Sequence, residues 1–310
     1  MKVSVLTTLY HSSPYILEFY SRCLASLQKF NLSYEFVFVN DGSPDDSLQQ
    51  VLGLAAGDPN VLVVDLSRNF GHGEAIMTGL QHCEGEFVFL IDCDLEEAPE
   101  LFETFWKKIQ DDPSLEVVYG VQINRKGGMF ERISGRLFYK LMSSLTSIKY
   151  PADSLTARIM TRQYVLAVTQ YKERELEIWG IFVLSGFKQL AIPSVKGFKG
   201  TSTYTLRKKL GVAIDAITSL SNRPLYFTFV IGLLSVGFAF INILIILYKK
   251  YVLENQIEGW SSIVASIWLV GGLILFVLGI FGIYLSKMFN EIKGRPLSVI
   301  RKIYSKNVTR

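Results

Sequence analysis

The stretch FVFLIDCDLEEAPE, residues 87–100, decides the fold class. Its first five residues, from Phe87 to Ile91, are all apolar, and four acidic residues follow within the next six positions. An uninterrupted apolar run of this length is typical of a central strand that is buried on both faces of a parallel sheet. Carboxylates that begin where such a strand leaves the sheet indicate a ligand site at its carboxyl end.

The segments around this stretch alternate between strand-like and helix-like patterns. This alternation predicts an α/β domain with a mainly parallel sheet over the first ~125 residues. Four of the predicted strands end in polar or glycine-bearing loops, so polar groups are expected to gather at one edge of the sheet. The predicted strands are 3–9, 35–40, 61–66, 87–92 and 117–121, and the predicted helices are 15–29, 47–56, 73–82 and 99–110.

The two aspartates of the quoted stretch are candidates for binding a metal ion. In an extended backbone, residues i and i+2 point the same way, so Asp92 and Asp94 can aim at one point, with Glu96 behind them. Like charges at close range need a cation, and a few oxygen ligands suit Mg²⁺ or Mn²⁺ shared with substrate phosphates. The alternative is that both aspartates are solvated turn residues, because this spacing alone is a weak signal.

The segment Asn40-Asp41-Gly42-Ser43-Pro44 also follows a predicted strand. One interpretation is a turn that leads into a helix capped by Ser43 or Asp45. The other is that Asp41 accepts hydrogen bonds from the base or ribose of a nucleotide. Both interpretations stay open on the sequence.

Two long uncharged segments predict a membrane anchor. Residues 226–248 and 263–286 contain no charged side chain, and each is long enough to cross ~30 Å of hydrocarbon as a helix. A pair of buried core helices is the alternative, but a short polar loop between the two segments favours a transmembrane hairpin. Basic residues are in excess in 207–223 and after 286, so the positive-inside rule predicts a cytoplasmic catalytic part and tail.

Composition and charge argue against a disulfide framework, a cysteine metal site and a nucleic-acid partner. The chain has 310 residues, 49% of them hydrophobic, with a mean hydropathy of +0.28. Its three cysteines lack the spacing of a metal site or a disulfide framework. The net charge of +4 lies mostly beside the predicted membrane segments, so it indicates anionic lipid headgroups and no nucleic-acid partner.

Several motifs in combination resemble a family 2 glycosyltransferase of the GT-A fold, whose catalytic domain is Rossmann-like. The resemblance is specifically to polyprenyl-phosphate sugar transferases, typified by dolichol-phosphate mannose synthase and bacterial undecaprenyl-phosphate glucosyltransferases. The motifs cover nearly the whole chain in family order. They are VSVLTTLY, VNDGSPDDS, LSRNFGHGEAIMTGL, FLIDCDLEEAPE, FERISGRLFYKL, GTSTYTLRKKL, ITSLSNRPL and NEIKGRPL.

The resemblance implies a role for individual residues. The metal on the donor diphosphate is expected to be held by Asp92, Asp94 and Glu96, where the family usually has glutamine at the last position. The nucleotide contacts that it implies are Thr7, Tyr10, Asp41 and Ser43. The phosphates of donor and acceptor are expected to meet the basic residues Arg125, Arg132, Arg136, Lys196 and Lys199.

Two departures from the family pattern bear on the acceptor. Thr156 stands where relatives carry an aspartate, and Gln122 stands where they carry an arginine that helps to bind the acceptor phosphate. Asp153 is then the spare candidate for a general base. A hydroxyl acceptor needs such a base, whereas a phosphate monoester with a second pKa near ~6 is largely dianionic at neutral pH. The loss of the aspartate therefore favours a lipid-phosphate acceptor.

The resulting prediction is a membrane-anchored, metal-dependent inverting transferase that moves a sugar from an NDP-sugar to a polyprenyl phosphate. The alternatives are a membrane-bound transferase acting on a sugar hydroxyl, and a scaffold or transport subunit without chemistry. Small residues in the second span permit helix contact, so a homo-oligomer is expected. The predicted divisions are a catalytic domain 1–205, a juxtamembrane amphipathic helix 206–224, two membrane helices within 225–286 with an external loop 249–262, and a basic tail 287–310.

Overall fold

The structure is a computed structural model, and it describes residues 1–122, 154–173, 178–195, 197, 217–218, 221–251, 259–305 and 308–309. Several predictions from the sequence fall on residues outside these ranges. They are the roles of Arg125, Arg132, Arg136, Asp153, Lys196 and Lys199, most of the predicted helix 206–224, and half of the loop 249–262.

Nine strands within the described ranges form one sheet, in the order β7-β5-β6-β4-β1-β2-β3-β8-β9. The central strands β4, β1, β2 and β3 are mutually parallel. On one side β6 runs antiparallel between β4 and β5, and on the other side β8 runs antiparallel to β3. The strands are β1 (Lys2–Leu9), β2 (Ser33–Asn40), β3 (Val61–Leu66), β4 (Phe87–Leu90), β5 (Val117–Gln122), β6 (Ser154–Thr161), β7 (Gln189–Ser194), β8 (Ile300–Ser305) and β9 (Val308–Thr309).

The prediction of an α/β domain with a mainly parallel central sheet is confirmed by this topology. Strand order reverses at β1, since β2 and β3 lie on one side of it and β4 on the other. Such a reversal opens a crevice beyond the carboxyl ends of the strands, where α/β proteins bind their ligands. The topology thus points to the ends of β1 and β4 as the place to look for a site.

Six shorter helices and two long ones accompany the sheet in the described ranges. The apolar positions on the sheet-facing side of each short helix explain its packing, as in the fourth helix, where Phe102, Phe105, Trp106 and Ile109 are buried. The helices are α1 (Ile16–Gln28), α2 (Ser47–Gly57), α3 (His72–His82), α4 (Leu101–Asp111), α5 (Arg162–Val168), α6 (Ile178–Leu184), α7 (Arg223–Tyr251) and α8 (Trp260–Ile292).

The sheet separates two apolar layers. Val5 of β1 packs in one layer with buried residues of α1, α2 and α4. Leu6, its neighbour in sequence, packs in the other layer with residues of α3, α5 and α6. Because successive strand residues face opposite sides, each residue near a strand end belongs to one layer or the other. This alternation decides which side chains can meet at the site.

The acidic stretch differs from the sequence prediction in one respect. Strand β4 ends at Leu90, and a turn begins at Cys93, so the two aspartates do not lie in one extended segment. Leu95 has a φ of 60°, in the left-handed region. The i, i+2 rule for strands therefore does not determine how Asp92 and Asp94 are oriented, and the loop has to be described by its own contacts.

The two long helices α7 and α8 expose many large apolar side chains to solvent in this structure. Residues 223–242 have a mean hydropathy of 2.0 and residues 266–292 one of 2.4, which makes both helices long and apolar enough to cross a membrane. They coincide with the two predicted segments within 225–286.

The residues after α8 return to the catalytic sheet. Strand β8 pairs with β3, with Tyr304 opposite Val63 and Ile303 opposite Val64. Arg301 of β8 lies 3.3 Å from the buried Asp65 carboxylate and donates to the Ser67 carbonyl over 2.7 Å. The predicted basic tail 287–310 therefore contains the end of α8 and two strands, because the sheet edge at β3 accepts β8 and β8 in turn pairs with β9.

Candidate active site

Polar side chains from four elements meet at the carboxyl ends of β1 and β4. Thr8 belongs to β1, His72 begins α3, Asp92 follows β4 and Thr156 belongs to β6. Asp92 and Thr156 come from neighbouring strands, since β4 and β6 are paired. The crevice expected from the strand order thus contains a set of groups in contact.

The Asp92 carboxylate has a different neighbour at each of its oxygens. The Thr156 hydroxyl donates to Oδ2 over 2.8 Å. The other oxygen, Oδ1, lies 3.5 Å from Nε2 of His72, and Nδ1 of that ring lies 3.1 Å from the Thr8 hydroxyl. The hydrogen bond from β6 therefore orients the carboxylate, which lies beside the His72 ring and remains partly exposed to solvent.

Glu97, the fourth acidic residue of the quoted stretch, is part of the scaffold. Its side chain is 0% exposed, and its two oxygens accept from the backbone amides of Thr156, over 3.0 Å, and Ala157, over 2.6 Å. A buried carboxylate is tolerated when hydrogen bonds satisfy it in this way. Glu97 thus joins the acidic loop to the start of β6, a role that no feature of the sequence indicated.

Arg158 holds the same segment from its other side. Its Nε donates to the Thr156 carbonyl over 3.2 Å, and one Nη donates to the Leu155 carbonyl over 3.0 Å. The buried guanidinium lies 4.1 Å from the ring centre of Phe182 and 4.9 Å from that of Trp179. Carbonyls and amides at the start of β6 are therefore both engaged, which fixes the backbone that carries Thr156.

The middle of the acidic loop is organised by backbone contacts. Asp94 accepts from the Glu96 amide over 3.1 Å, and the Glu96 carbonyl accepts from the Gly197 amide over 2.6 Å. Within the described part of the chain, no three His, Cys, Asp or Glu side chains lie together as a metal-binding group. The structure therefore does not bring Asp92, Asp94 and Glu96 together as one three-carboxylate site.

The donor atoms that the loop provides nevertheless fit a hard divalent cation. Mg²⁺ is usually held by one or two carboxylates together with substrate phosphates, so it does not need an all-protein cage. Asp92 and Asp94 supply carboxylate oxygens, and Asp92 is already oriented and partly open to solvent. The chemistry of these two groups suits Mg²⁺ or Mn²⁺ bound to a diphosphate.

The Asp41 carboxylate binds the backbone of the neighbouring β3–α3 loop. Its carboxylate is 3% exposed and accepts from the backbone amides of Phe70, over 2.7 Å, and Gly71, over 3.1 Å. Burial raises the pKa of this carboxyl, and the two backbone donors oppose the shift. The predicted contact between Asp41 and a nucleotide stays a prediction, while its bonds to the β3–α3 loop are evident.

Gly42 lies against the same loop. Its φ is 61°, and a Cβ at this position would lie 2.5 Å from the carbonyl carbon of Arg68 and from the amide nitrogen of Asn69. The contact is with backbone, which cannot turn away as a flexible side chain can. A glycine at this position therefore permits the close approach of the β2–α2 and β3–α3 loops.

We expect Gly42→Ala to lower the free energy of unfolding by at least ~2 kcal/mol, from left-handed strain and backbone overlap together. It should also weaken nucleotide binding, because the loop tied to Asp41 must move. Thermal unfolding and calorimetric titration with UDP and GDP measure both effects. Gly53→Ala is the matched control, since a Cβ there has nothing within 4 Å. Equal behaviour of the two variants would contradict this interpretation.

The other three predicted nucleotide contacts differ in their exposure to solvent and in their hydrogen bonds. Tyr10 is 50% exposed at the end of β1, where a ligand can reach it, whereas Thr7 is 1% exposed. The Thr7 hydroxyl has no hydrogen-bond partner among the described residues. Ser43 accepts from the His11 amide over 2.8 Å and donates to Asp45. A direct contact between Thr7 and a nucleotide would require the loop after β1 to move.

The segment after β2 forms a turn into α2, but the residue at the N-cap is Asp46, whose side chain makes no cap bond, and not Ser43 or Asp45. Asp45 accepts from the Ser47 amide over 3.2 Å, at the first residue of α2, and from the Ser13 amide over 3.0 Å. Hydrogen bonds from hydroxyls and amides hold the pKa of this carboxyl at about 2, against the effect of its burial. Asp45 thus stabilises the start of α2 and the loop after β1.

Thr8 is a residue of the crevice that no sequence motif had indicated. Thr7 belongs to the face of β1 that packs on α1, α2 and α4, as Val5 does, whereas Thr8 belongs to the face of Leu6 and meets His72. Strand parity could have identified it, because a shift of one residue moves a side chain to the opposite face.

Comparison with a family model and with curated proteins identifies the family of this chain. The profile of the family described as glycosyl transferase family 2 matches residues 4–168. A Mycobacterium tuberculosis protein whose name places it among the glycosyltransferases is 42% identical over 315 residues, covering 100% of this chain and 90% of the relative. The SfII prophage-derived bactoprenol glucosyl transferase of Shigella flexneri is 29% identical over 310 residues, covering 99% and 100%. Among solved structures, mannosyl-3-phosphoglycerate synthase of Rubrobacter xylanophilus superposes with a TM-score of 0.48 at 15% identity, over 72% of this chain and 74% of that one.

Proposed function

Because the chain belongs to glycosyl transferase family 2 and has the GT-A fold, we propose that it transfers a sugar from an NDP-sugar to a polyprenyl phosphate at a membrane. The acceptor class is supported by a relative named as a bactoprenol glucosyl transferase, which matches this chain over 99% of its length. The product is a sugar linked to the lipid phosphate.

The observation that carries the proposal is the oriented Asp92 carboxylate in the crevice between β1 and β4. One of its oxygens accepts from Thr156, the other lies 3.5 Å from His72 Nε2, and Asp94 lies two residues further along the same loop. We assign the donor diphosphate to this position, with Asp92 and Asp94 holding Mg²⁺ or Mn²⁺ against it. When bound, the cation offsets the charge that develops on the departing diphosphate.

The residue type at position 156 and its hydrogen bond favour a phosphate over a hydroxyl as the acceptor. The residue replaces an acid that could act as a base, and its hydroxyl already donates to Asp92 over 2.8 Å. A lipid phosphate is largely dianionic at neutral pH and attacks without losing a proton. Attack of its oxygen on the anomeric carbon, opposite the departing diphosphate, gives inversion, and Asp153 is not needed as a base.

We further propose that α7 and α8 form the membrane hairpin. Helix α8 has 33 residues and is about 50 Å long, more than the ~30 Å of a hydrocarbon core, so its last turns lead back towards β8. Since β8 pairs with β3, both ends of the hairpin connect to the same domain. The basic flanks of the two segments favour the cytoplasmic side for that domain.

The remaining assignments are predictions of the same scheme. The lipid phosphate meets basic residues close to the membrane, for which we propose Arg125, Arg132 and Arg136, and the donor diphosphate also meets Lys196 and Lys199. The nucleotide contacts are Tyr10, Ser43, Asp41 and Thr7. Association of α7 and α8 between copies of the chain gives a homo-oligomer.

The direct test is a donor screen. Membranes that contain the full chain are incubated with undecaprenyl phosphate, Mg²⁺ or Mn²⁺, and each common NDP-sugar in turn. We expect mass spectrometry to detect one lipid phosphate carrying one sugar, with one preferred donor. Magnetic resonance of the released sugar phosphate should show the anomeric configuration opposite to that of the donor.

Two outcomes would contradict the proposal. Transfer to a saccharide but not to the lipid phosphate would identify a hydroxyl acceptor instead. Failure of the purified chain to bind any nucleotide sugar with a divalent cation would favour a scaffold without chemistry. Retention of the donor's anomeric configuration would contradict the inverting mechanism alone.

A further inference from the structure

We propose that Thr156 is a positioning residue that sets the orientation of the Asp92 carboxylate for binding the divalent cation. This inference rests on the proposed function, in which Asp92 is a metal ligand. It gives a role to the residue that departs from the family pattern: the hydroxyl supplies a hydrogen bond where relatives carry a carboxylate.

The geometry around Thr156 leaves its hydroxyl little freedom. The side chain is 6% exposed, and its hydroxyl lies 2.8 Å from Asp92 Oδ2. Its backbone amide is bound by Glu97 over 3.0 Å, and its carbonyl is bound by Arg158 over 3.2 Å. Because amide and carbonyl are both engaged, the hydroxyl is presented to Asp92 by a backbone that is already fixed.

The hydrogen bond has a defined direction. An ionised carboxylate only accepts, so the single hydroxyl proton of Thr156 must point to Asp92. The second oxygen of Asp92 faces Nε2 of His72 at 3.5 Å. The carboxylate is therefore held by one hydroxyl donor from β6 and lies near the ring of His72 from α3, and an oxygen ligand fixed by such an outer partner binds its metal more tightly.

The identity of the residue also matters. The Thr156 hydroxyl adds a hydrogen-bond donor beside Asp92 without adding a second carboxylate. In this chain, position 156 therefore orients the Asp92 carboxylate and leaves its charge available to a cation.

The test measures metal binding on the full-length protein in detergent or nanodiscs. Mn²⁺ is titrated by electron paramagnetic resonance in the presence of UDP and, in parallel, of GDP. Thr156→Val keeps the shape of the side chain and removes the hydroxyl, and we expect it to weaken Mn²⁺ binding by about 10-fold or more. Thr156→Ser keeps the hydroxyl and is expected to bind Mn²⁺ nearly as tightly as the wild type.

Unchanged Mn²⁺ affinity in Thr156→Val would overturn the inference, and so would an equal loss in the Val and Ser variants. Circular dichroism and Tm establish that each variant is folded, and Thr156→Ala provides a second deletion of the hydroxyl if Thr156→Val is not. A wild type that binds nucleotide but no Mn²⁺ would refute the metal site itself, and this inference with it. Since the first two results need a wild type that binds Mn²⁺, the two failures are distinguishable.

Discussion

Asp94→Asn is expected to reduce formation of the lipid-linked sugar by about 10²–10³-fold, the usual cost of removing one electrostatic group that stabilises a transition state. Asparagine has nearly the shape of aspartate but carries no charge, so the proposed cation on the diphosphate would lose one of its two anionic ligands. Asp94 is also an acceptor for the Glu96 amide, and the side-chain oxygen of asparagine can preserve that bond. Product formation per mole of membrane-inserted protein is the quantity to measure.

The matched control for this substitution is Asp111→Asn. Asp111 ends α4 on the surface, where its only described ion pair is a 3.9 Å contact with Lys108, so the change removes the same charge away from the crevice. The control should retain the activity of the wild type. Full turnover in Asp94→Asn, with membrane insertion intact, would refute the assignment of this residue to the cation.

Glu97→Ala is expected to have the largest effect on stability. It removes the acceptor of two buried amides, those of Thr156 and Ala157, and each amide left without a partner costs about 1–3 kcal/mol. The free energy of unfolding should therefore fall by roughly 2–6 kcal/mol, with a drop in Tm of at least ~5 °C. Thermal unfolding in detergent, followed by circular dichroism, measures the change.

The control for Glu97→Ala is Glu84→Ala, which removes a carboxylate that is 79% exposed. Such a surface change should shift Tm by little, since exposed ion pairs contribute ~0–1 kcal/mol. A Tm for Glu97→Ala as high as that of Glu84→Ala would show that the hydrogen bonds between Glu97 and the start of β6 do not stabilise the fold.

The fold class could be predicted because hydrophobic patterning is a local property of the chain. The apolar runs of β1 to β5 follow from burial on both faces, and the helices between them show the helical period on their buried sides. The two long helices are similarly evident from length and absence of charge. None of these features requires knowledge of which residues meet in space.

The site was predicted less completely because its contacts join residues that are distant in sequence. Thr156 lies 64 residues from Asp92 along the chain, and nothing in either local sequence indicates that they touch. Glu96 and Glu97 are adjacent residues of the same type, yet only Glu97 is fully buried. Which of two adjacent glutamates turns inward depends on the turn after β4, and the strand rule applied to Asp92 and Asp94 missed that turn.

The C-terminal strands were missed for a related reason. The sequence IRKIYS of β8 is basic and short, so its charge predicted a tail beside the membrane. Its partner β3 lies more than 230 residues earlier, and pairing over such a separation leaves no periodic signal in one sequence. The buried Asp65, which Arg301 approaches, was equally invisible from local pattern.

The return of β8 to β3 has a consequence for biogenesis. The ribosome makes β1 to β7 first, then both apolar helices, and only afterwards the strand that covers the edge of β3. During synthesis that edge presents unpaired backbone groups, a known liability for aggregation. Closure of the sheet is therefore completed only after both apolar helices have emerged from the ribosome, so the final step of folding waits for the most hydrophobic part of the chain.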